Sequence, residues 1–372
     1  MIKTKKNLVL FMPFIDHGGV EKNLFIIANY LIKKFNNVNL CTISSKFKRK
    51  FDKKIKFITP KNNWSEKINI KIKYIVCLYI LYKYLKKNKN SVVLSFQANV
   101  YCIMLCRLLN IKIIIRSNSS PSGWYHNFIK KKIYKTVISF ADAVIVNSQF
   151  FKNQMIKRFN IKVNCIFNPL NKDEIIKLSK KRNKRIFFES KKNIFKIINL
   201  GRLTEQKDHL TLLKAAKILK KKLEFQLLIL GNGLKLKNLQ KFIKDNNLSN
   251  CVKIKDFTNN PYPALLKSNL FVLSSKYEGL PNSLLEATVL KKLSISSDCP
   301  TGPREILSNG KGGLLFKVGD YKDLAKKIEF SFKNKNILKK KTLYAYKKLD
   351  RYDYKKNLLK YFLLIKPFLV TT

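Results

Sequence analysis

Short apolar runs alternate with segments of helical period along almost the whole chain, and this alternation constrains the fold more than any other feature. In the first half, Leu8–Phe14, Val38–Ile43, Val92–Phe96, Ile111–Ile115, Ala143–Val146 and Val163–Phe167 read as strands. Amphipathic stretches such as Val20–Phe35 and Ile70–Leu85 lie between them. Strands that alternate with helices build a parallel sheet covered by helices on both faces.

The pattern breaks after Asn168-Pro169, and the polar, Lys- and Arg-rich stretch from Lys177 to Asn193 is the best linker candidate. It then restarts. Ile194–Leu200, Phe225–Leu230, Val252–Ile254, Leu270–Leu273, Leu293–Ser296 and Gly313–Phe316 read as a second set of strands. The segment Asp350–Leu369 reads as a terminal helix. A chain of 372 residues suits two domains of ordinary size. The expected division is 1–170, 171–349 and a terminal helix in 350–372 that returns to pack on the first domain. The fold class is α/β, with two doubly wound Rossmann-like domains. Ligands bind at strand carboxyl ends in such sheets, so a cleft between the domains is the expected site.

Charge narrows the partners. Lys and Arg number 77 against 22 Asp and Glu, a formal net charge of +55. This is either compositional bias on solvated faces or attraction to a polyanion, whether an anionic membrane surface or nucleic acid. No nucleic-acid-binding motif is visible. The seven cysteines are scattered with no Cys-x-x-Cys pair, which points to reduced thiols in a reducing compartment. His17, His126 and His209 have no metal-ligand spacing, and no metal or other cofactor is expected. The N-terminal apolar run leads into Asp16-His17-Gly18-Gly19 and reads as a buried strand followed by a glycine turn. No stretch reaches the ~18–20 apolar residues of a spanning helix, so any membrane contact is expected to be peripheral.

Two segments carry chemistry. After the run Leu270–Leu273 comes Ser274-Ser-Lys-Tyr-Glu278-Gly279-Leu280-Pro281-Asn282-Ser-Leu-Leu-Glu286. Gly279 and Pro281 keep Glu278 in a loop, and Pro281, Asn282 and Ser283 suit a helix start that places Glu286 early in the helix. A helix N-terminus offers N–H groups to a phosphate, and a carboxylate beside it can accept from sugar hydroxyls. The alternative is a helix-capping glutamate and an ordinary surface one. In the second segment a strand ends at Gly201, which permits close backbone approach, and Arg202 and Lys207 follow. Such cations can clamp a diphosphate and stabilise it as it leaves. In so basic a chain they can equally be solvated surface residues. Gly231-Asn-Gly233 reads as a common strand-to-helix turn without direct ligand contact.

In this order and spacing, Gly18-Gly19-Val20-Glu21, Gly201-Arg202-Leu203 with Lys207, Gly231-Asn-Gly233 and Glu278 through Glu286 resemble the retaining glycosyltransferases of family 4, which have the GT-B fold. Asn260-Pro261-Tyr262 and Gly302-Pro303-Arg304-Glu305-Ile306 resemble a bacterial branch that builds surface polysaccharides, lipopolysaccharide and lipid-linked oligosaccharides. The resemblance implies a hexosyltransferase. Its donor would be a nucleoside diphosphate sugar, a UDP-hexose or UDP-N-acetylhexosamine, and its acceptor a hydroxyl of a glycan or lipid-linked oligosaccharide. It implies that Gly18 and Gly19 let the first loop approach the donor phosphate and the acceptor. Arg202 and Lys207 would bind the diphosphate, and Glu286 the ribose hydroxyls. Glu278 would lie near the donor sugar, with amides of Gly279, Leu280, Pro281 and Asn282 as the surrounding loop. Many relatives carry a histidine where this chain has Arg116-Ser117-Asn118, so Arg116 and Asn118 are candidates there, with a structural role as the alternative. The glycine often found before Asn260-Pro261 is replaced by Asp256-Phe257-Thr258.

These readings place the chain in the cytoplasm, peripheral on the inner face of the cytoplasmic membrane. Competing readings are a non-catalytic basic protein that binds anionic membrane or nucleic acid, and a GT-B nucleotide-sugar epimerase or phosphorylase.

Overall fold

The computed structural model describes all residues except 1, 3, 17, 61–68, 119–127, 182–187, 189–193, 300 and 371–372, and no side chains of 128–131. The chain forms two compact units, Met1–Pro169 with Tyr354–Thr372, and Leu170–Asp353.

Unit 1 holds a seven-stranded sheet of order β3-β2-β1-β4-β5-β6-β7, parallel in every pairing. The strands are β1 (Asn7–Phe11), β2 (Val38–Cys41), β3 (Lys56–Ile58), β4 (Ser91–Ser95), β5 (Lys112–Ser117), β6 (Ala143–Val146) and β7 (Asn164–Cys165). β1 lies inside the sheet, with Leu8 in register with Val38 on one side and Val92 on the other. Successive side chains point to opposite faces of a strand, so Leu8 and Leu10 serve one core while Val9 and Phe11 serve the other. That is why β1 and β4 are continuous buried runs instead of alternating ones.

Helices α1 (Gly19–Leu31), α2 (Ile70–Lys87), α3 (Asn99–Leu108), α4 (Phe128–Ser139) and α5 (Gln149–Phe159) cover the sheet. Local chemistry starts two of them: Asn69 Oδ1 accepts from Lys71 N at 3.0 Å, and Ser148 Oγ from Phe151 N at 3.1 Å.

Unit 2 contains α6 (Lys172–Ser179), β8 (Phe195–Leu200), α7 (His209–Leu219), β9 (Phe225–Leu230), α8 (Leu236–Asp245), β10 (Val252–Lys255) and α9 (Tyr262–Lys267). It continues with β11 (Leu270–Leu273), α10 (Asn282–Val289), β12 (Leu293–Ser297), α11 (Gly302–Ile306), β13 (Leu314–Phe316), α12 (Tyr321–Lys333) and α13 (Lys335–Lys347). Its six strands run in the order β10-β9-β8-β11-β12-β13, again all parallel. The order reverses beside β8, where the connections switch sides, so ligand chemistry is expected at the carboxyl ends of β8 and β11. The last helix, α14 (Tyr354–Leu369), belongs to unit 1. Leu358, Tyr361, Ile365 and Leu369 enter the core beneath α1, and Phe362 stacks on Phe35 at 5.3 Å.

Several boundaries differ from the sequence reading. The first strand ends at Phe11, since Pro13 has no N–H for a ladder. β3 was not anticipated; its three residues, one an exposed lysine, carry too little apolar signal. Most of the stretch Lys177–Asn193 lies outside the described residues; the chain passes between units elsewhere. That happens at Pro169 and again after Asp353, and Lys177 to Ser179 are helical. The terminal helix begins at Tyr354; residues 350–353 stay in unit 2, where Leu170 N donates to Tyr352 O at 2.9 Å.

Candidate functional site

In unit 2 the chain leaves β8 through Gly201, which is pressed by a neighbouring turn. A Cβ on Gly231 would lie 1.9 Å from the Gly201 carbonyl oxygen, and one on Gly233 2.4 Å from that of Leu203. The Gly231-x-Gly233 pair is therefore a packing requirement that holds the Gly201–Leu203 backbone in place. Arg202, next in line, is exposed and makes no side-chain hydrogen bond or ion pair with the described residues. A 3₁₀ turn, Glu205–Lys207, then leads to Asp208, whose backbone is left-handed (φ 46°) and whose carboxylate caps α7 through the Thr211 hydroxyl at 2.7 Å.

This turn delivers Lys207 to the end of β11. Its aliphatic stem lies over Gly201, and its Nζ donates to Glu278 Oε1 at 2.5 Å. Both side chains are largely buried, at 16% and 7% exposure. Ser275 Oγ donates to the same carboxylate oxygen at 2.7 Å, and Ser274 Oγ to the Lys207 carbonyl at 3.0 Å. The two motifs picked out in the sequence thus converge on one ion pair.

The loop carrying Glu278 is held from behind. Thr301 adopts φ 93°, strained for a β-branched residue, and its hydroxyl donates to the carbonyls of Glu278 (2.5 Å) and Gly279 (3.1 Å). Gly302 N donates to Gly279 O at 2.8 Å, and a Cβ on Gly302 would lie 1.9 Å from that oxygen. Gly279, Leu280 and Pro281 are buried, and α10 starts at Asn282. Glu286 is buried mid-helix, where Tyr262 Oη donates to its Oε1 at 3.3 Å.

At the strand ends of unit 1, Gly18 precedes α1, and a Cβ there would meet the Glu21 carboxylate at 2.3 Å. Gly19 is exposed; His17 and His126 lie outside the described residues. Arg116 has no solvent exposure. Its Nε donates to Tyr361 Oη at 2.8 Å, its Nη2 to Asn168 Oδ1 at 2.7 Å, and its guanidinium lies 5.7 Å from the Phe96 ring centroid. Asn118 Nδ2 donates to Phe96 O at 3.0 Å. Of the two roles left open for Arg116, these contacts describe the structural one.

Three residues were given no site role in the sequence reading. His209 is buried with its Nε2 3.0 Å from Asn199 Oδ1; burial, and then the charge of Lys207, push it down to about 4, so it is neutral at physiological pH. Cys299 sits behind the Glu278 loop and is pushed up to about 12, first by burial and then by the Glu278 charge, which makes it an inert thiol. Thr301 showed no signal beyond its place before Gly302. The Asp256-Phe257-Thr258 segment is fixed by Asn232 Oδ1, which accepts from Phe257 N at 2.9 Å. Among the described residues no group of three His, Cys, Asp or Glu could hold a metal, and no helix is long and apolar enough to cross a membrane.

Two doubly wound Rossmann-like units, one with the Lys207–Glu278 pair and exposed Arg202 at its strand ends, make up the GT-B fold. Residues 180–348 match the family described as Glycosyl transferases group 1. An uncharacterized glycosyltransferase of Methanocaldococcus jannaschii is 38% identical over 207 residues, which span 53% of this chain and 51% of that one. The N-acetylgalactosamine-N,N'-diacetylbacillosaminyl-diphospho-undecaprenol 4-alpha-N-acetylgalactosaminyltransferase of Campylobacter jejuni is 26% identical, covering 96% of this chain and all of its own length. Among solved structures, Anabaena HepE in complex with UDP and glucose superposes with a TM-score of 0.77 at 15% identity, over 97% of this chain and 100% of its own.

Proposed function

We propose that the chain transfers a hexose or N-acetylhexosamine from a UDP-sugar to a hydroxyl of a lipid-linked glycan, with retention of anomeric configuration, in the manner of family 4. It would do so while peripheral on the inner face of the cytoplasmic membrane. The observation that carries this reading is the Lys207–Glu278 pair, held between Gly201 and the Ser275 hydroxyl with exposed Arg202 beside it in sequence. The names of the Campylobacter relative and the Anabaena complex support the acceptor and donor classes.

In this reading Arg202 and Lys207 bind the donor diphosphate. As a phosphate approaches, Lys207 shares its charge between Glu278 and the incoming oxygens, and Glu278 turns its acceptor capacity to the hydroxyls of the sugar. Glu286, aligned by Tyr262, accepts from the ribose hydroxyls. Gly18 and Gly19 leave room for the acceptor. As the glycosidic bond to the diphosphate breaks, Arg202 and Lys207 stabilise the negative charge that develops on it. The departing oxygen takes the acceptor proton on the face where the new bond forms, which retains configuration. No metal is needed for charge neutralisation.

Thermal-shift screening of nucleotide sugars identifies the donor. Transfer from it to a lipid-linked oligosaccharide extract is then measured with excess EDTA, followed by anomeric analysis. We expect turnover to survive chelation and the product to retain configuration. Loss of activity restored by magnesium or manganese, or an inverted product, overturns this mechanism.

A further inference from the structure

Helices α2, α3 and α4 pack side by side over one face of the unit 1 sheet. Their inward residues, among them Cys77, Leu81, Cys102, Ile103, Cys106 and Ile138, are buried in the core. Their outward residues should then be polar, and they are not. On α3 the stripe Tyr101, Met104 and Leu108, on one face by helical spacing, is exposed, Leu108 to 79%. On α2, Ile72, Ile75 and Tyr79 form a parallel exposed stripe, with Ile75 at 67%. Ile133 of α4 and Phe140 just beyond it extend the surface on the other side.

The charged residues that these three helices carry have one sign. None of the three helices contains an aspartate or glutamate. Lys71, Lys83 and Lys86 of α2 and Lys132 and Lys135 of α4 are exposed. Lys83 Nζ stands 4.5 Å from the Tyr79 ring centroid, so that its stem borders apolar surface while its ammonium stays outside. Isolated exposed apolar residues need no explanation, but stripes on adjacent helices rimmed by cations do.

Chemistry selects the occupant. Nucleic acid would use the lysines and leave Ile75, Met104 and Leu108 against phosphate and water. A second copy of a chain with net charge +55 would bring like charges together. An anionic bilayer suits both features, since apolar side chains enter the acyl boundary while lysines meet lipid phosphates. The position agrees: Lys73 at the start of α2 lies 5.0 Å from the ring of Phe14, in the loop that leads from β1 to Gly18.

We infer that the outward faces of α2, α3 and α4 seat unit 1 on an anionic phospholipid surface, beside the loop that receives the acceptor. This rests on the reading above that the acceptor is lipid-linked. The test is flotation of the full chain with vesicles of phosphatidylcholine alone and of phosphatidylcholine mixed with phosphatidylglycerol. Wild type is expected to float with the mixed vesicles only. The triple variant Ile75→Gln, Met104→Gln, Leu108→Gln is expected to lose more than about tenfold in binding with no change in net charge. The variant Lys86→Gln, Lys132→Gln, Lys135→Gln should weaken binding and flatten its salt dependence, whereas Lys339→Gln, Lys340→Gln on unit 2 should bind as wild type. All these positions are exposed, and a melting curve confirms each fold. Undiminished flotation of the first triple variant, equal flotation on neutral vesicles, or a dimer in light scattering that the triple variant abolishes would overturn the inference. UDP binding by calorimetry tests the glycosyltransfer reading separately, since it needs no vesicle.

Discussion

The strand carboxyl ends of the two units hold their cations in opposite ways. In unit 2 the cation Lys207 is paired with Glu278, part of it reaches solvent, and both partners sit on turns fixed by glycine packing and hydroxyl bonds. In unit 1 the cation Arg116 is fully enclosed, has no carboxylate partner among the described residues, and is bonded to Asn168 and to Tyr361 of the returning α14. The arginine charge is bonded to a helix, whereas the lysine charge, in the proposed function, is shared with the donor diphosphate. The two cations thus differ in their partners, a carboxylate for Lys207 and neutral side chains for Arg116.

Breaking the unit 2 pair should give the largest effect. Lys207→Ala removes a phosphate ligand and strands a buried carboxylate, so turnover should fall by about 10²–10³, the scale of losing one preorganised charge-stabilising group. Stability should fall as well, since leaving one member of a buried pair unpartnered costs ~3 kcal/mol or more. The double variant Lys207→Ala, Glu278→Ala sharpens the comparison. It should recover much of the stability and none of the activity. Melting curves alongside turnover separate the two quantities, and near-wild-type turnover in Lys207→Ala would remove the site assignment.

A pH titration probes the packing behind the same site. His209 is held neutral with its pKa down at about 4, against 6.5 when exposed. The folded form therefore resists protonation that the unfolded chain accepts. Stability from this group is complete above about pH 6.5 and is lost as the pH falls toward about 4, by ~3 kcal/mol in all. Glu205, pulled down to about 2 by Lys276 and Lys235, titrates in a lower window and does not confuse the result. Denaturant unfolding across this range should show the slope in wild type and lack it in His209→Gln; equal slopes in both would show that the histidine is not enclosed.

Much of the architecture could be read from the chain because both sheets are covered on two faces, and strands such as β4 and β9 are buried along their whole length and mostly apolar. What failed were short or edge elements such as β3. The candidate residues Lys207 and Glu278 were picked out by motif, but not their contact. Lys207 and Glu278 are 71 residues apart, and in a chain with this many lysines nothing marks one of them as paired. Thr301 and Tyr262 act through backbone carbonyls and a glutamate oxygen, and such bonds leave no periodicity or spacing to detect. Arg116 was ambiguous for the same reason, since its decisive partner lies 245 residues away.

That long-range bond gives the smallest and most selective test. Tyr361 is fully buried, and its hydroxyl accepts from Arg116 Nε while burial, the dominant influence, raises its own pKa. Tyr361→Phe keeps the ring and its packing in the α1–α14 core and deletes only the oxygen. The guanidinium already has one nitrogen, Nη1, without a partner, so the variant leaves a second buried N–H unsatisfied on a charged group. Such a loss costs about 2 kcal/mol. The cost should fall on unit 1, because both residues lie in it. Hydrogen exchange is expected to show α14 and β5 losing protection while β8 and β11 keep theirs. Turnover per folded molecule should stay at the wild-type level, in contrast with Lys207→Ala. A Tyr361→Phe enzyme that melts like wild type but turns over far more slowly would reverse the comparison, and would move Arg116 from the architecture of unit 1 to its chemistry.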